Sequence, residues 1–180
     1  MLARVLERFV PQVATVVINA NEDDARFSPF GLPVVGDSVE GYAGPLAGVH
    51  AGLEWAKTNL SGVRHIVTVA ADTPFLPTDL VQRFLAHSNA LENALVVARS
   101  AQGIHPVFGL WPVSAADALA ADLQGGARKV TTWLAEHDAV EVHFPAVTIK
   151  GRTLDPFFNI NRPEDLAEAE ALIGSMPRPG

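Results

Sequence analysis

The chain alternates between short β-branched apolar runs and segments with helical spacing, and this alternation constrains its fold more than any other feature. Residues 13–19 and 63–71 form apolar runs of the kind that is buried on both faces of a parallel sheet. Amphipathic segments lie around them, and the connections are too long for hairpins. The pattern predicts a three-layer α/β/α sandwich with a mostly parallel sheet, formed by residues 1–180 as a single domain.

The same patterns place the individual elements along the chain. A helix opens the chain because Leu2, Leu6 and Phe9 repeat at helical spacing. This first helix is predicted to end at Pro11. Further helices are predicted over residues 79–86, 115–123, 130–136 and 161–173, and one more follows a glycine-rich turn and ends at residue 55. Further strands are predicted over 33–35, 95–98, 106–110 and 139–144.

Charge and cysteine content exclude several classes of function. Thirteen Lys and Arg residues stand against twenty Asp and Glu residues, for a net charge of −7, so a surface for broad nucleic-acid binding is not expected. The lack of cysteine excludes a disulfide framework, a thiolate nucleophile and a zinc ribbon, and it fits a cytoplasmic protein. The apolar runs are strand-sized and charges interrupt the first ten residues, so neither a membrane span nor a signal peptide is predicted.

Two aspartates follow predicted strands. Asp72 ends the run at residues 63–71, and Asp37 lies two residues beyond the extended piece at 33–35. In open α/β sheets ligands bind at the carboxyl ends of the strands, where a carboxylate can hold Mg²⁺ beside bound phosphates. Each aspartate could equally cap its own turn through a side-chain hydrogen bond. The residues alone leave both interpretations open.

Amide and glycine residues near the same strand ends could contribute to a ligand site. Asn19 and Asn21 each offer a donor and an acceptor, which suits the edge of a nucleobase, although an ordinary turn is the more frequent role of such asparagines. Gly44 and Gly48 flank a rigid turn at a predicted helix start, where backbone can approach a ligand or simply pack against the sheet. The sequence contains neither GxxxxGK[ST] nor GxGxxG, which excludes these two nucleotide-binding modes.

Basic and polar residues in the second half of the chain complete the set of candidates. Arg128 and Lys129 follow a Gly-Gly turn and could hold a phosphate, although a solvated basic pair is more common. The six histidines lack metal-ligand spacing, and only His105 is singled out, because it directly precedes a strand that begins with proline. Asn161 fits the N-cap of the last predicted helix, whereas Asn159 has no comparable structural role.

Together these residues and motifs resemble the molybdenum cofactor guanylyltransferases, which belong to the nucleotidyltransferases with a glycosyltransferase-A-like fold. The matching segments are VVINAN (16–21), Asp37-Ser38, YAGPLAG (42–48), AADTPF (70–75), HPVFGLW (105–111), GGARKV (125–130) and DPFFNINRPEDL (155–166). They follow the family's order and cover nearly the whole chain. Each motif is weak alone, but GPLAG, then DTP, then FxNxNxPEDL form a specific combination.

The resemblance implies a function and a role for each candidate. It implies transfer of GMP from GTP to molybdenum-molybdopterin, with molybdopterin guanine dinucleotide and pyrophosphate as products and Mg²⁺ as cofactor. The implied roles are GTP binding for Asn19, Asp37, Gly44, Gly48 and Asp72, catalysis and Mg²⁺ binding for Asp72, and molybdopterin binding for Arg128, Asn159 and Asn161. Other proteins of cofactor biosynthesis and acceptor molybdoenzymes are implied as partners, in the cytoplasm and without nucleic acid or membrane.

One motif of the family does not occur in the chain. In the family the first strand leads into a loop of the form LAGGxSxRMGxDK, which holds the GTP phosphates, and this sequence does not contain it. We therefore expect a sandwich that lacks its N-terminal strand, binds GTP poorly and exposes a sheet edge. Two alternatives stay open: a related nucleotidyltransferase that uses CTP or a sugar phosphate, and a non-catalytic protein that binds the pterin or a partner.

Overall fold

The computed structural model describes residues 1–21, 24–37, 44–88, 93–127, 129–160 and 171–172 of the 180-residue chain. Its α-helices are α1 (Leu2–Phe9), α2 (Pro45–Asn59), α3 (Leu80–Ser88), α4 (Ala116–Gln124) and α5 (Val130–Glu136). Its strands are β1 (Ile18–Asn19), β2 (Val34–Val35), β3 (His65–Thr68), β4 (Val96–Ser100), β5 (Gly103–Pro112), β6 (Val140–His143), β7 (Val147–Ile149) and β8 (Arg152–Leu154). None of the helices in these residues is long and apolar enough to cross a membrane.

The main sheet has four strands in the order β3-β5-β4-β6. β5 runs antiparallel to both of its neighbours, β3 and β4, while β6 pairs with β4 in parallel. Three of the four strands therefore point the same way, and the predicted mostly parallel sheet is confirmed in this sense. A separate parallel pair, β1 with β2, brings Ile18 opposite Val34 and Asn19 opposite Val35.

Helices cover both faces of the main sheet, as the prediction of three layers requires. Consecutive residues at the start of β4 point to opposite faces, as they do in any strand. Val96 and Ala98 pack with α1 and α3, whereas Leu95 and Val97 pack with α2, α4 and α5. Because each large apolar side chain contributes about 1.5–3 kcal/mol when it is buried, these two apolar layers are the main source of stability.

Two hairpins contradict the expectation that all connections are too long for them. β4 extends to Ser100 and β5 begins at Gly103, so only two residues join these antiparallel strands. β7 and β8 are also antiparallel, joined by Lys150 and Gly151, whose φ angles of 51° and 77° are those of a tight hairpin turn. The expectation is wrong for two reasons. The apolar runs at 95–98 and 106–110 do not reach the turn, whereas β4 extends to Ser100 and β5 begins at Gly103. No apolar run in the sequence marks β7 or β8.

A cleft of about 770 Å³ lies between β1 and β3. Its lining is mostly apolar and comes from α1, from residues 13–18, from α2 and from β3. Within the described residues β1 pairs only with β2, and β3 only with β5. Because a ladder needs a partner strand, the predicted strands at 13–19 and 63–71 are regular only over Ile18–Asn19 and His65–Thr68.

The three tryptophans of the chain occupy two kinds of environment. Trp111 of β5 and Trp133 of α5 are fully buried, with 5.7 Å between their ring centroids. Trp133 also stacks on His137 at 3.8 Å and donates a hydrogen bond from Nε1 to Asp122 Oδ2 at 2.8 Å, which ties α5 to α4. Trp55 of α2 is half-buried instead and lines the cleft.

Candidate active site

The parallel strands β1 and β2 end side by side in three polar residues, Asn19, Asn21 and Asp37, which we call the Asn–Asp cluster. Asn19 Nδ2 donates hydrogen bonds to Asp37 Oδ1 and to the Val35 carbonyl, each at 3.0 Å. Asn21 Nδ2 donates to Asp37 Oδ2 at 2.7 Å, and Asn21 Oδ1 accepts from the Asp37 backbone N–H at 2.7 Å. Both carboxylate oxygens of Asp37 are thus engaged by amides, and the cluster ties the two strand ends together.

Helix α2 approaches this cluster at Gly48. A Cβ at this position would lie 2.4 Å from Asn19 Oδ1 and 3.8 Å from Asp37 Oδ1, so a side chain fits there only if Asn19 moves. Gly44 stands directly before α2 with extended backbone, and Pro45 occupies the first turn of the helix. Asn19, Gly44 and Gly48 all line the cleft. The positive end of the α2 dipole therefore lies beside the Asn–Asp cluster.

Asp72 lies in the turn that follows β3. Its side chain is half-buried, and its Oδ1 is buried without a hydrogen-bond partner in the part of the chain that the structure describes. The Asp72 carbonyl accepts a hydrogen bond from the Ile160 N–H at 3.1 Å. A buried carboxylate oxygen without a partner is costly, so the arrangement favours a bound cation or a ligand donor at Oδ1 over a purely structural role.

Asn159 is brought next to Asp72 by a long-range contact. Thr73 is fully buried, and its hydroxyl donates a hydrogen bond to Asn159 Oδ1 at 2.7 Å. Together with the bond between Ile160 and Asp72, this contact holds residues 159–160 against the turn after β3. Asn159 is exposed, and its Nδ2 donates to no acceptor among the described residues, so this amide is available to a ligand.

The described residues contain no group of three or more His, Cys, Asp or Glu side chains that could form a metal cage. One carboxylate is nevertheless a fitting donor for Mg²⁺, because this ion is often held by one or two carboxylates together with waters and substrate phosphates. Asp72 Oδ1 fits this role, since Asp37 already accepts amide hydrogen bonds on both oxygens. Asp72 is therefore the strongest metal-ligand candidate in the described part of the chain.

The structure brings the predicted residues together in two groups. The first contains Asn19, Asp37, Gly44 and Gly48, and the second contains Asp72 and Asn159. Asn19 and Ala71, the neighbour of Asp72, both line the cleft, so the cleft runs from the first group toward the second. Arg128 and Asn161 lie outside the described residues, as does the predicted helix at 161–173 except for residues 171–172.

Of the two residues that support the site, Asn21 has a sequence signal and Thr73 has none for its contact. Asn21 is predicted together with Asn19 from the end of the first strand, and the structure shows its amide bound to Asp37. Thr73 holds Asn159, but no pattern in the sequence links two positions that lie 86 residues apart.

A three-layer α/β sandwich with polar residues at strand ends, a helix N-terminus beside them and one carboxylate suited to Mg²⁺ has the architecture of a nucleotidyltransferase. Comparison with known proteins agrees with this class. The chain belongs to the family of the MobA-like NTP transferase domain, whose model matches residues 1–140. The family resemblance inferred from the motifs is confirmed.

Relatives and solved structures resemble nearly the whole chain. The molybdenum cofactor guanylyltransferase of Mesorhizobium japonicum is 48% identical over 177 residues, which are 98% of this chain and 84% of that protein. The protein of the same name from a Bradyrhizobium species is 46% identical over 179 residues, 99% of this chain and 82% of that protein. The crystal structure of molybdopterin-guanine dinucleotide biosynthesis protein A from Archaeoglobus fulgidus has a TM-score of 0.67 at 23% identity, over 97% of this chain and 86% of that one. This likeness confirms the α/β nucleotidyltransferase fold.

Proposed function

We propose that this chain transfers GMP from GTP to molybdenum-molybdopterin and releases pyrophosphate, in keeping with its relatives, which are named molybdenum cofactor guanylyltransferases. The observation that carries the proposal is the hydrogen bond from Thr73 to Asn159. The family resemblance assigns Asn159 to the acceptor, and Thr73 is the residue after the metal-ligand candidate Asp72, so the bond joins the acceptor side of the proposed site to its metal side. Nucleotidyl transfer needs these two sides together, because the acceptor must meet the α-phosphorus of the nucleotide in a fixed geometry.

The nucleotide side of the proposed site is the Asn–Asp cluster with the start of α2. Asp37 holds the amide of Asn19 in one orientation, and an oriented amide suits the edge of a nucleobase. Gly48 lets the helix come close, and the N-terminus of α2 after Gly44 favours the phosphates. We therefore assign GTP binding to Asn19, Asp37, Gly44 and Gly48, together with Asp72.

The metal side of the proposed site is Asp72, which would hold Mg²⁺ through its unpartnered Oδ1. When bound, Mg²⁺ offsets the negative charge of the nucleotide phosphates. The chain's own contribution is to hold nucleotide and acceptor in position and to supply fixed dipoles around them, which accounts for most of the rate of such reactions.

The acceptor side of the proposed site contains Asn159, with Arg128 and Asn161 assigned to it by the family resemblance. In the proposed reaction a terminal phosphate oxygen of the pterin bonds to the α-phosphorus of GTP. The bond from that phosphorus to the bridging oxygen breaks, and pyrophosphate leaves with the electron pair. Because the acceptor attacks directly, the protein forms no covalent intermediate, and Asn159 Nδ2 orients the acceptor.

Calorimetric titration of Asp72→Asn with GTP tests the metal side of this proposal. The substitution keeps the size of the side chain and removes its charge, so we expect a folded protein. We expect Mg²⁺-dependent GTP binding to weaken by about tenfold or more, as for the loss of one charge-assisted contact. Asp79→Asn is the matched control, since this aspartate forms an ion pair with Arg83 and has no role in the proposed site. An unchanged Mg²⁺ dependence in Asp72→Asn would assign Asp72 to the turn alone.

A transfer assay with GTP, CTP and sugar-1-phosphates as alternative substrates tests the reaction itself. Formation of the guanine dinucleotide from GTP supports the proposal, and a preference for CTP or a sugar phosphate would replace it with a related nucleotidyltransferase. Pterin binding without any transfer would leave the non-catalytic alternative. Three further expectations stay predictions: a single domain over residues 1–180, a cytoplasmic location, and contacts with other cofactor-biosynthesis proteins and acceptor molybdoenzymes.

A further inference from the structure

The segment 155–160, which carries Asn159, begins at a buried polar network of Ser100, His105 and Asp155. Ser100 is 4% exposed, and the side chain of Asp155 is 6% exposed. The Ser100 hydroxyl donates a hydrogen bond to Asp155 Oδ2, and Ser100 Oγ lies 2.8 Å from His105 Nε2. The network therefore ties this segment to the hairpin formed by β4 and β5.

The direction of these hydrogen bonds excludes a nucleophilic role for Ser100. Because the hydroxyl donates its single proton to Asp155, Oγ accepts from His105 Nε2–H and from the Gln102 N–H at 3.0 Å. In a serine hydrolase the serine donates to the histidine instead, and the carboxylate holds the other ring nitrogen. The network is an anchor and not a catalytic triad.

Asp155 also holds the residues that follow it through hydrogen bonds. Its Oδ1 accepts a hydrogen bond from the Phe157 N–H at 2.8 Å, and its carbonyl accepts from the Phe158 N–H at 3.1 Å. Phe157 is 3% exposed, and its ring centroid lies 4.5 Å from that of His105 and 4.7 Å from that of Phe108. The first half of the segment is thus held by the network and by ring packing.

The second half of the segment meets the turn after β3. Asn159 accepts from the Thr73 hydroxyl, and the Ile160 N–H donates to the Asp72 carbonyl. Residues 155–160 belong to no helix or strand, so the anchors at the two ends fix the path of the segment. Only Phe158 separates the anchored Phe157 from Asn159, and a shift at Asp155 therefore reaches Asn159.

We propose that Ser100, His105 and Asp155 are positioning residues that hold Asn159 in place for the phosphate-bearing pterin acceptor. The inference rests on the proposed function, because it assigns the network to acceptor binding. None of the three residues touches the acceptor in this proposal. The metal-ligand candidate Asp72 lies four residues after β3, and the segment contacts it at its backbone carbonyl and not at its carboxylate, so we expect the carboxylate to keep its place when the network is removed.

Ser100→Ala tests the proposal, because it removes the hydroxyl through which His105 and Asp155 are joined. We expect the dissociation constant for molybdopterin in equilibrium dialysis to rise by about tenfold, the scale typical of lost supporting contacts behind a binding group. GTP affinity and the affinity of Mn²⁺, used as a probe at Asp72, should stay unchanged. Amide hydrogen exchange at Phe157, Phe158 and Ile160 should become faster.

Two further variants keep the test decisive. Ser88→Ala is the matched control, since Ser88 is another buried serine, 8% exposed, whose hydroxyl donates to the Leu85 carbonyl of its own helix; it should change none of these quantities. Asp155→Asn keeps the size of the side chain and one acceptor for the Phe157 N–H. We therefore expect it to raise the dissociation constant for molybdopterin by less than Ser100→Ala does. This variant also serves if Ser100→Ala does not fold.

The outcomes separate the positioning proposal from the proposed function. Faster exchange with unchanged molybdopterin affinity would overturn the positioning role and leave a structural one. An equal loss for GTP, Mn²⁺ and molybdopterin would overturn it too, because it would indicate general loosening of the site. If the unsubstituted chain transfers no GMP, the proposed function fails, and the dialysis experiment still decides whether the network supports acceptor binding.

Discussion

A Gly48→Ala substitution would separate the shape of the Asn–Asp cluster from the stability of helix α2. The added Cβ would lie 2.4 Å from Asn19 Oδ1, well inside contact distance, so the Asn19 amide has to swing away. This movement breaks the hydrogen bonds from Asn19 to Asp37 and to the Val35 carbonyl. Asn19 is the asparagine of the cluster that lines the cleft, so its contact surface in the cleft would change.

The expected change in the free energy of unfolding is small because two effects oppose each other. Alanine is favoured over glycine in a helix interior by about 1 kcal/mol. Two hydrogen bonds with a net contribution of about 1 kcal/mol each are lost, but Asn19 is exposed, so water replaces part of them. The net change is therefore at most about 1 kcal/mol in either direction. GTP, by contrast, meets a displaced Asn19, and its affinity should fall by about tenfold, the equivalent of about 1.4 kcal/mol.

Urea denaturation measures the free energy of unfolding, and calorimetry with GTP and Mg²⁺ measures the affinity. Gly52→Ala is the matched control, because it adds the same methyl group one turn along α2, where the nearest atom is the Ile66 Cδ1 at 3.1 Å. We expect GTP binding of this variant to match that of the unsubstituted chain. Unchanged GTP affinity in a folded Gly48→Ala would refute the role of the cluster in nucleotide binding, and a large loss of stability would refute the argument that Asn19 can move.

Three further outcomes are expected. Asn159→Ala should weaken molybdopterin binding in equilibrium dialysis and leave GTP binding nearly intact; an equal loss of both would point to collapse around the buried Thr73 hydroxyl. Joining a strand and a LAGGxSxRMG loop in front of Met1 should raise GTP affinity and turnover in the transfer assay, because such a loop supplies backbone donors to the triphosphate; equal activity of both lengths would contradict this. Burial lowers the pKa of His65 and of His105, so the folded chain binds fewer protons than the unfolded chain, and the free energy of unfolding should fall as the pH drops below about 6.5. A flatter pH dependence of urea denaturation in His65→Asn checks this last expectation, and an unchanged slope would refute it.

The helices and layers of this fold can be predicted from the sequence, whereas the extents of the strands cannot. The predicted helix at 130–136 has the bounds of α5, and the helix predicted to open the chain and end at Pro11 contains α1. A strand depends also on its neighbour: residues 13–19 are a suitable run throughout, yet only Ile18 and Asn19 are paired, because β2 is their one partner among the described residues. The hairpin between β4 and β5 could not be predicted from apolar runs for a related reason. Polar residues such as Ser100 continue a strand when a partner strand is present.

The site divides in the same way between local and distant information. Asn19 and Asp37 each follow a short strand, so their meeting follows from the parallel pairing of β1 with β2. The contact of Thr73 with Asn159, and that of Ser100 with Asp155, join positions 86 and 55 residues apart. These contacts depend on how the segment 155–160 packs against the sheet, and no periodicity in the chain encodes that packing.

The uneven placement of the tryptophans gives the protein a built-in optical reporter. Indole fluorescence moves to shorter wavelength when water leaves the ring. Trp111 and Trp133 are already shielded from water, whereas Trp55 stands half-buried in the wall of the cleft. Anything that fills the cleft, whether a nucleotide or an added strand, would change the emission of Trp55 and leave the other two as an internal reference, so that occupancy can be followed in unlabelled protein.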